Sequence, residues 1–480
     1  MEYFVLLGLS TAAILALAVV LYRKTGDAGT IVGIGALYYW SLYGAWFILI
    51  DKNGGFSGKH YYYLEQKLFA ISLDDSYLAT LALYAGFILT VELTLLAAAS
   101  GRNGRGNFGL GGMRTPCAAV PRLVLRHESI LVIGYLAAII SFLLMRDELN
   151  TAWALNTSAY LYTRHQADQW FTLHQVLNRV ALIPPAIGIA ALLAGRHSKY
   201  FISVTRGYTW PAYVVLAGGM AAFTFVLGNK NEVFNALLAG FLAYVGSVER
   251  RRWGRVAVAA ASGVWFLYAI DLFRGTPISS MGEALAARLT TATGAGEFVA
   301  SSNEAFAAHF SMYGVLAANV QPSFGYSIYS LICSIIPRVV WPARPNDIYI
   351  YYVENVGAIQ SQGYSLHHAT GWYLNFGPTG VVLGALVMGL VWAAFLNARH
   401  YITRHSGMIF RLFATIGPWV FAAGLPPLLR CGPEGYKGVF VDSVFVPVCV
   451  LLFACRRAKA PAPEPAWRAP DGWVLNGGVR

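Results

Sequence analysis

The chain has 480 residues, of which 57% are hydrophobic and only 12% are charged, and its formal net charge is +12. A soluble domain carries about 25% charged residues, so this composition excludes an ordinary soluble globular protein and indicates a polytopic membrane protein. A nucleic-acid-binding protein is excluded as well, because the Lys and Arg residues lie in short clusters between apolar segments.

The apolar segments of the chain predict its membrane helices, since about 20 apolar residues are enough to cross a bilayer. The first segment has no basic residues ahead of it and no small-residue cleavage site after it, so we expect a membrane helix there and not a cleaved signal peptide. The predicted helices, in chain order, span residues 3–22, 30–50, 78–99, 128–146, 174–194, 210–228, 232–248, 256–273, 376–396, 409–429 and 438–455.

The stretch 305–336 is apolar enough for one or two further segments. Gln321, Pro322 and Gly325 interrupt it, so a re-entrant pair of helices or a short hairpin is expected there. Together the segments predict an all-α polytopic membrane protein with about 11–13 transmembrane helices and a large loop region on one side.

The distribution of Lys and Arg predicts the orientation of the bundle. The clusters occupy alternate connections between the predicted helices, as the positive-inside rule requires of cytoplasmic loops. The N-terminus and the long region 274–375 then lie on the other side of the membrane. The clustered residues are Arg23, Lys24, Arg102, Arg105, Arg114, Arg122, Arg126, Arg196, Lys199, Arg206, Arg250, Arg251, Arg252, Arg255, Arg399, Arg404 and Arg456.

Four regions follow from this organisation. An N-terminal transmembrane bundle occupies 1–273, and the outer loop region with the re-entrant segment occupies 274–375. Further transmembrane helices occupy 376–455. The Pro/Ala-rich tail 456–480 is expected to be disordered and cytoplasmic.

Residues 337–380, PRVVWPARPNDIYIYYVENVGAIQSQGYSLHHATGWYLNFGPTG, form the most informative stretch of the chain. Pro337, Pro342 and Pro345 prevent a regular helix over its first part. Irregular backbone cannot face lipid, because its N–H and C=O groups would lack hydrogen-bond partners. We therefore expect a loop outside the bilayer or in a water-filled cavity, and loops of this length are more often functional than idle.

Arg338 and Arg344 flank Trp341 and Pro342 in this loop. The prolines stiffen the backbone, so both guanidinium groups are presented at a low entropic cost. A guanidinium binds phosphate oxygens through two parallel N–H donors, which makes both arginines candidates for binding a phosphate or pyrophosphate. The alternative is that both side chains reach out to lipid headgroups.

His367 and His368 precede the last part of this stretch, which is apolar. A histidine could serve as a general base or as an oxyanion partner, and the alternative is an interfacial histidine that only hydrogen bonds to the protein. Adjacent residues of a helix or strand point in different directions, so at most one of the two is expected to face a cavity. Tyr352 and Tyr373 offer faces for stacking on sugar rings, or else belong to the aromatic belt of a membrane protein.

Two polar segments near predicted helix ends hold further candidates for binding. In GNKNEVFN, residues 228–235, Lys230 and Glu232 could contact a phosphate or a sugar, and the alternative is an exposed turn that caps a helix. In DLFRG, Arg274 could reach a lipid-linked phosphate. Its alternative is an ion pair with Asp271, three residues earlier on the same helix.

Glu304 and Arg430 complete the set of candidates. Glu304 leads into an apolar segment and could act as a general base towards a sugar hydroxyl, or else occupy the first turn of a capped helix. Arg430 follows Pro426 and Pro427, which suggest a helix unwound beside a cavity. The alternative for Arg430 is an interfacial anchor.

No metal or cofactor is expected. The sequence contains no metal-binding or nucleotide-binding motif in a usable context, and its five cysteines show no metal-binding spacing. We interpret the cysteines as buried small apolar residues. Arginines would supply positive charge in place of a metal ion.

Four pieces of sequence between about 228 and 440 form an ordered pattern: GNKNEVFNALLAGF, DLFRG, IPRVVWPARP with HHATGWYLNFGPTG, and LLRCGPEG. The pattern resembles the Wzy-type family of bacterial O-antigen and exopolysaccharide repeat-unit polymerases. The resemblance implies a membrane fold similar to family-C glycosyltransferases (GT-C-like), without a nucleotide-sugar donor or a metal. The functional positions it implies are Lys230, Arg274, Arg338, Arg344 and Arg430.

The resemblance also implies a reaction, a location and partners. A glycosyltransferase of the bacterial inner membrane would polymerise oligosaccharide repeats carried on undecaprenyl pyrophosphate, with its active site facing the periplasm. A chain-length regulator is a further candidate partner, and nucleic acid is not expected. Two alternatives stay open, namely an O-antigen ligase that transfers the glycan to lipid A core and a flippase without catalysis. The sequence lacks two similar halves, which weighs against the flippase.

Overall fold

The computed structural model describes most of the chain. The described residues are 1–52, 72–100, 122–149, 169–227, 230–248, 304–334, 336, 340–358, 365–402 and 406–457, with the isolated positions 254, 280, 282 and 283. The predicted helix 256–273 and the candidates Arg274 and Arg338 lie outside the described residues, as do the side chains of Lys230 and Glu304.

Helices dominate the described residues. They are α1 (Glu2–Thr25), α2 (Ala28–Tyr38), α3 (Gly44–Lys52), α4 (Asp75–Ser100), α5 (His127–Leu144), α6 (Gln169–Ala194), α7 (Thr209–Val226), α8 (Lys230–Ser247), α9 (Glu304–Ala317), α10 (Tyr326–Cys333), α11 (Ile348–Asn355), α12 (His368–Ala398), α13 (Met408–Leu429), α14 (Gly435–Lys437) and α15 (Val446–Ala454). Two π-helical segments continue these helices, π1 (Tyr39–Tyr43) between α2 and α3 and π2 (Gly438–Phe445) between α14 and α15. Short 3₁₀ turns follow α6 at Gly195–His197 and α12 at Arg399–Tyr401.

Eight helical stretches of the described residues are long and apolar enough to cross a membrane. They are Glu2–Thr25, Ala28–Ile50, Asp75–Ser100, His127–Leu144, Leu173–His197, His368–Ala398, Met408–Leu429 and Gly435–Ala454. This confirms a polytopic helical membrane protein. The helices α7 and α8 coincide with the predicted spans 210–228 and 232–248 within two residues at each end.

Local sequence explains where the first two helices meet. Gly26 ends α1 in the left-handed conformation with φ 62°, and its N–H donates to the carbonyl of Tyr22. Arg23 and Lys24 occupy the last turn of α1, where positive charge complements the helix dipole. Asp27 then precedes α2 with extended backbone, so the chain reverses direction within two residues.

Contacts between helix ends divide the bundle into two ends. At one end, Lys24 Nζ donates to Ser100 Oγ over 2.7 Å, and Arg399 pairs with Asp27 over 3.2 Å. We call it the sheet end, because it contains the three short strands of the described residues. The opposite end contains His367 and His368, and we call it the histidine end. Helices α1 and α4 run in parallel between the two ends.

The sheet is a feature that the all-α prediction misses. Its strands are β1 (Leu123–Arg126), β2 (Phe201–Val204) and β3 (Cys455–Arg457), in the order β2-β1-β3. β1 pairs with β2 in parallel and with β3 in antiparallel, with Val124 opposite Arg456. The prediction of a tail that is disordered from 456 is therefore wrong for Arg456 and Arg457, because β1 supplies a hydrogen-bonding edge from elsewhere in the chain.

Helix α12 begins eight residues before the predicted boundary at 376. It starts at His368 and contains a break at Phe376 and Gly377, where φ of Gly377 is 64° and ψ is −148°. The helix resumes at Pro378, whose missing N–H is not needed in the first turn of a helix. The predicted boundary is thus wrong as the start of the helix, because 376 marks the break inside it.

The stretch 305–336 forms two short helices, as the interrupted pattern predicts. Helix α9 has 14 residues and is almost wholly buried against α4, α12 and π1, and it is too short to cross a membrane. The turn that follows contains positive φ values at Asn319, Phe324 and Gly325. Helix α10 then lies at the histidine end beside the break in α12.

Candidate functional site at the histidine end

The loop 430–434, from the piece LLRCGPEG, joins two other pieces of the central stretch. The ring Nδ1 of His368 donates to the carbonyl oxygen of Cys431 over 2.9 Å. Gly371 faces Gly432 so closely that a Cβ on Gly371 would lie 2.6 Å from the Cα of Gly432. The loop therefore packs directly against the start of α12, and Gly371 is needed for this approach, whereas a Cβ on Gly432 would instead meet Ile348 and Glu434.

Glu434 connects the same loop to α11. Its Oε1 accepts a hydrogen bond from the backbone N–H of Ile348 over 2.9 Å, so its carboxylate caps the N-terminus of α11. The other oxygen, Oε2, is buried and has no hydrogen-bond partner among the described residues. Burial raises the pKa of Glu434 to about 8, and the nearby carboxylate of Asp347 adds to the rise.

Arg430 brings the piece GNKNEVFN to this loop. Its Nη1 donates to Oδ1 of Asn231 over 3.3 Å, and its guanidinium lies 5.7 Å from the centre of the Trp40 ring. Glu232, the next residue of α8, is buried. The unwinding suggested by Pro426 and Pro427 does not occur, because α13 continues through both prolines to Leu429.

Arg344 stabilises the loop that precedes α11. Its Nη1 donates to the carbonyl oxygens of Ser334 and Ile336, each over 3.0 Å, so the side chain closes the connection from α10. Lys437 lies within electrostatic range of Arg344 and Arg179. Basic residues from three separate parts of the chain therefore lie at the histidine end.

An ion pair between α6 and π2 lies near the basic residues Arg344 and Lys437. Arg179 Nη1 lies 2.7 Å from Oδ2 of Asp442, and both side chains are mostly buried. The amide of Asn235 donates to Oγ of the neighbouring Ser443 over 3.3 Å. In the sequence, Arg179 stands outside the Lys/Arg clusters, and its partner Asp442 was missed. The signal that could have found Asp442 is a charged residue inside an apolar span.

Both nitrogens of the His367 ring are engaged in hydrogen bonds. The N–H of Ala369 donates to Nδ1 over 3.1 Å, so Nδ1 is unprotonated and Nε2 donates to Oγ of Ser41 over 3.0 Å. A serine next to a histidine suggests a nucleophile and its base, but here the proton lies on the nitrogen that faces Ser41. The pair is therefore arranged the wrong way round for His367 to take the serine proton.

His368 and His309 are held in the same manner. His368 donates from Nδ1 to Cys431 and accepts at Nε2 from the indole N–H of Trp372 over 3.0 Å. His309 donates from Nδ1 to the carbonyl oxygen of Ser41 over 2.6 Å and accepts from the hydroxyl of Tyr77 over 3.1 Å. Burial lowers the pKa of His309 to about 4. A role as general base would require one of these hydrogen bonds to break, so a catalytic His367 or His368 stays a prediction.

The two histidines are both buried, and the prediction that at most one of them faces a cavity stays a prediction. His367 precedes α12 with extended backbone, whereas His368 is its first helical residue. Their rings therefore point to different neighbours, Ser41 and Cys431, that are both inside the protein. Adjacent residues can be buried together where the backbone changes direction between them.

The remaining candidates have distinct positions. Tyr352 is fully buried, so its ring is covered by protein, whereas Tyr373 is half-buried. Helix α9 is described from Glu304 onward, and the residues that would cap it lie outside the described residues. The proposed roles of Arg274, Arg338, Lys230 and Glu304 stay predictions, because these side chains lie outside the described residues.

Three basic side chains, Arg344, Arg430 and Lys437, lie at the same end of the bundle as the buried carboxyl group of Glu434. Guanidinium groups are common partners of phosphate and carboxylate anions in proteins. The described residues contain no group of three or more His, Cys, Asp and Glu side chains that could hold a metal ion. A scan against protein-family models finds no match to the chain, and searches of the curated proteins and of the solved structures find none.

Proposed function

We propose that the protein is a glycosyltransferase that polymerises oligosaccharide repeat units carried on undecaprenyl pyrophosphate. The observation that carries the proposal is the meeting of separate sequence pieces at the histidine end. GNKNEVFN, HHATGW and LLRCGPEG are joined there by Arg430 and His368, and Arg344 and Lys437 add positive charge. These belong to the pieces on which the resemblance to the Wzy-type family depends, and DLFRG lies outside the described residues.

The proposed location follows from the charges of the connections. Described members of the Lys/Arg clusters, among them Arg23, Arg126, Arg206 and Arg399, lie at the sheet end. The positive-inside rule assigns such an end to the cytoplasm. The histidine end then faces the periplasm of a bacterial inner membrane, where flipped lipid-linked repeats are available.

In the proposed reaction, the non-reducing hydroxyl of one repeat attacks the anomeric carbon of a glycan on a second carrier. The bond between that carbon and the pyrophosphate breaks, and undecaprenyl pyrophosphate leaves. Arg344 and Arg430, with Arg274, Arg338 and Lys230 as further candidates, stabilise the negative charge that develops on the pyrophosphate. The proton of the attacking hydroxyl passes to a general base, for which Glu304, His367 and His368 are the candidates.

The test uses purified protein and lipid-linked repeat units alone. We expect a ladder of longer glycans to form without a nucleotide sugar and without an added metal ion. If product forms only after a nucleotide sugar or a divalent metal is supplied, the proposed mechanism is wrong. If neither condition yields product, the activity itself is contradicted.

A deletion strain distinguishes the polymerase from the ligase, and the assay with purified protein distinguishes it from the flippase. Loss of a polymerase leaves lipid A core capped by a single repeat, whereas loss of an O-antigen ligase leaves bare core. A flippase makes no glycosidic bond, so it would give no ladder of longer glycans from purified lipid-linked repeats. The single-repeat phenotype is the outcome we expect.

A further inference from the structure

The segment around α10 turns apolar side chains outward at the histidine end. Phe324, Tyr329, Ile332 and Val340 are 84%, 53%, 62% and 73% exposed. Tyr329 and Ile332 are three residues apart, so they share one side of the helix, and the exposed Ile336 follows shortly after α10 ends at Cys333. We call these five side chains the apolar stripe: Phe324, Tyr329, Ile332, Ile336 and Val340.

The opposite side of α10 is small, polar and buried. Ser327, Ser330 and Cys333 face the protein. This arrangement is the reverse of a helix on a water-soluble surface, which buries its apolar side and exposes its polar one.

Specific hydrogen bonds fix this orientation. The backbone N–H of Ser327 donates to Oδ1 of Asn375 over 3.0 Å, and Nδ2 of Asn375 donates back to Oγ of Ser327 over 2.6 Å. The N–H of Ser323 donates to the carbonyl oxygen of Leu374 over 2.7 Å. Helix α10 is therefore anchored to the break in α12. These hydrogen bonds fix the orientation that turns its apolar stripe outward.

The sequence around the stripe indicates what covers it. Residues 305–337 contain no Asp, Glu, Lys or Arg, which is unusual for a helix that faces water. Arg344 hydrogen bonds to the carbonyl oxygens at the end of α10, and the half-buried Trp341 lies close to it in the chain. An apolar helix side flanked by an arginine and a tryptophan is typical of the boundary between lipid headgroups and acyl chains.

Exposed apolar side chains continue from the stripe onto helix α12, one of the helices long and apolar enough to cross a membrane. Helix α12 crosses the membrane, and after its break it exposes Val382, Leu383, Leu386 and Leu390. Val382 lies five residues beyond Gly377 at the break, and Asn375 on the other side of the break anchors α10. We infer that α10 lies in the bilayer interface at the histidine end, with the apolar stripe in contact with phospholipid acyl chains. The inference does not depend on the proposed reaction.

Photo-crosslinking in vesicles tests this inference. Phe324, Tyr329 and Ile332 are replaced one at a time by p-benzoyl-phenylalanine, in the full-length protein reconstituted with phosphatidylethanolamine and phosphatidylglycerol. Asn355 is the matched control, because it is exposed at the same end, on α11, but lies outside the stripe. The three stripe side chains are exposed, so these variants are expected to fold, and unchanged elution on size exclusion checks each one.

We expect irradiation to add the mass of one phospholipid at the three stripe positions and not at Asn355. A cross-link to a second copy of the chain in place of lipid would overturn the inference in favour of an interface between copies. Absence of a lipid adduct at the stripe, or equal labelling at Asn355, would overturn it in favour of a surface exposed to water.

Discussion

Glu434 illustrates how a single side chain can couple the candidate site to pH. Its carboxyl group caps α11 through Ile348, yet its second oxygen is buried without a partner among the described residues. The carboxyl also belongs to the loop that His368 fixes to α12. Its protonation state therefore affects the packing of α11, α12 and the loop 430–434 together.

The first prediction concerns the pH dependence of stability at Glu434. Its folded-state pKa, about 8, is raised above the ordinary value of 4.5, so the carboxyl contributes stability below about pH 4.5 that is lost as the pH rises through 8. Glu434→Gln keeps an oxygen that can accept from Ile348 but cannot ionise. We expect the variant to gain thermal stability relative to the natural protein as the pH increases from about 6 to 9.

The measurement is the midpoint of thermal unfolding in detergent over that pH range, for both proteins. Glu128→Gln is a suitable control, because Glu128 lies at the sheet end in an exposed pair with Arg206. Equal pH slopes for the Glu434→Gln variant and the natural protein would contradict the assigned role of this carboxyl.

The second prediction concerns Arg430 in the proposed reaction. Arg430→Ala removes a guanidinium that would stabilise the leaving pyrophosphate, so we expect the rate of glycan polymerisation to fall by about a hundredfold. The matched control is Arg206→Ala, which removes a surface arginine at the sheet end and should leave the rate unchanged. An unfolding midpoint for each variant separates lost catalysis from lost folding, and a folded Arg430→Ala protein with full activity would refute the role.

At the scale of elements, the break in α12 organises the histidine end. Gly377 adopts a conformation that is essentially restricted to glycine, and the carbonyl of Leu374 is satisfied by Ser323 instead of by the helix. Asn375 then anchors α10. A helix that stopped at a turn or continued without a break would leave these donors and acceptors without partners, so the break and α10 depend on each other.

The third prediction follows from this dependence. Gly377→Ala places a Cβ on backbone with a positive φ, which we expect to destabilise the protein by about 1–3 kcal/mol. Gly35→Ala is the matched control, because Gly35 is in regular helix with open space around it and should tolerate the methyl group. The midpoints of thermal unfolding of the two variants are compared in the same detergent. Equal midpoints would show that the backbone at the break does not require a glycine.

At the scale of the whole molecule, the sheet end and the histidine end differ both in charge and in packing. The sheet end gathers positive connections and is closed by the pair of Arg399 with Asp27, with the guanidinium 4.7 Å from the centre of the Trp419 ring. The histidine end holds the short helices α9, α10 and α11 and the candidate site. The proposed function requires this asymmetry, because the lipid-linked substrate would arrive from one side of the membrane.

The fourth prediction is the orientation of the chain in the membrane. We expect green fluorescent protein fused after Arg480 to fluoresce and alkaline phosphatase at the same place to be inactive, because the sheet end is assigned to the cytoplasm. The reciprocal fusions after Val226, at the histidine end, should give the opposite result. Active phosphatase after Arg480 would invert the topology and remove the candidate site from the periplasm.

The sequence by itself determined the membrane class and the approximate positions of the long helices. These depend on local runs of apolar residues and on the cost of burying backbone polar groups in lipid, which need no knowledge of distant contacts. The same local signals located the interruption near Gly325 and the polar pieces that contain Arg344 and Arg430. They also showed that Lys/Arg clusters occupy alternate connections between helices, because the positive-inside rule depends only on the residues of each loop.

Only the tertiary structure decided what those pieces touch. That Arg456 belongs to a strand, that α12 begins at His368, and that both histidines are buried all depend on partners far away in the chain. The ion pair of Arg179 with Asp442 likewise joins residues 263 positions apart. Hydrogen bonds and ion pairs between distant residues produce no periodic pattern in a single sequence. More of the helical architecture than of the contacts in the candidate site can therefore be predicted from the sequence.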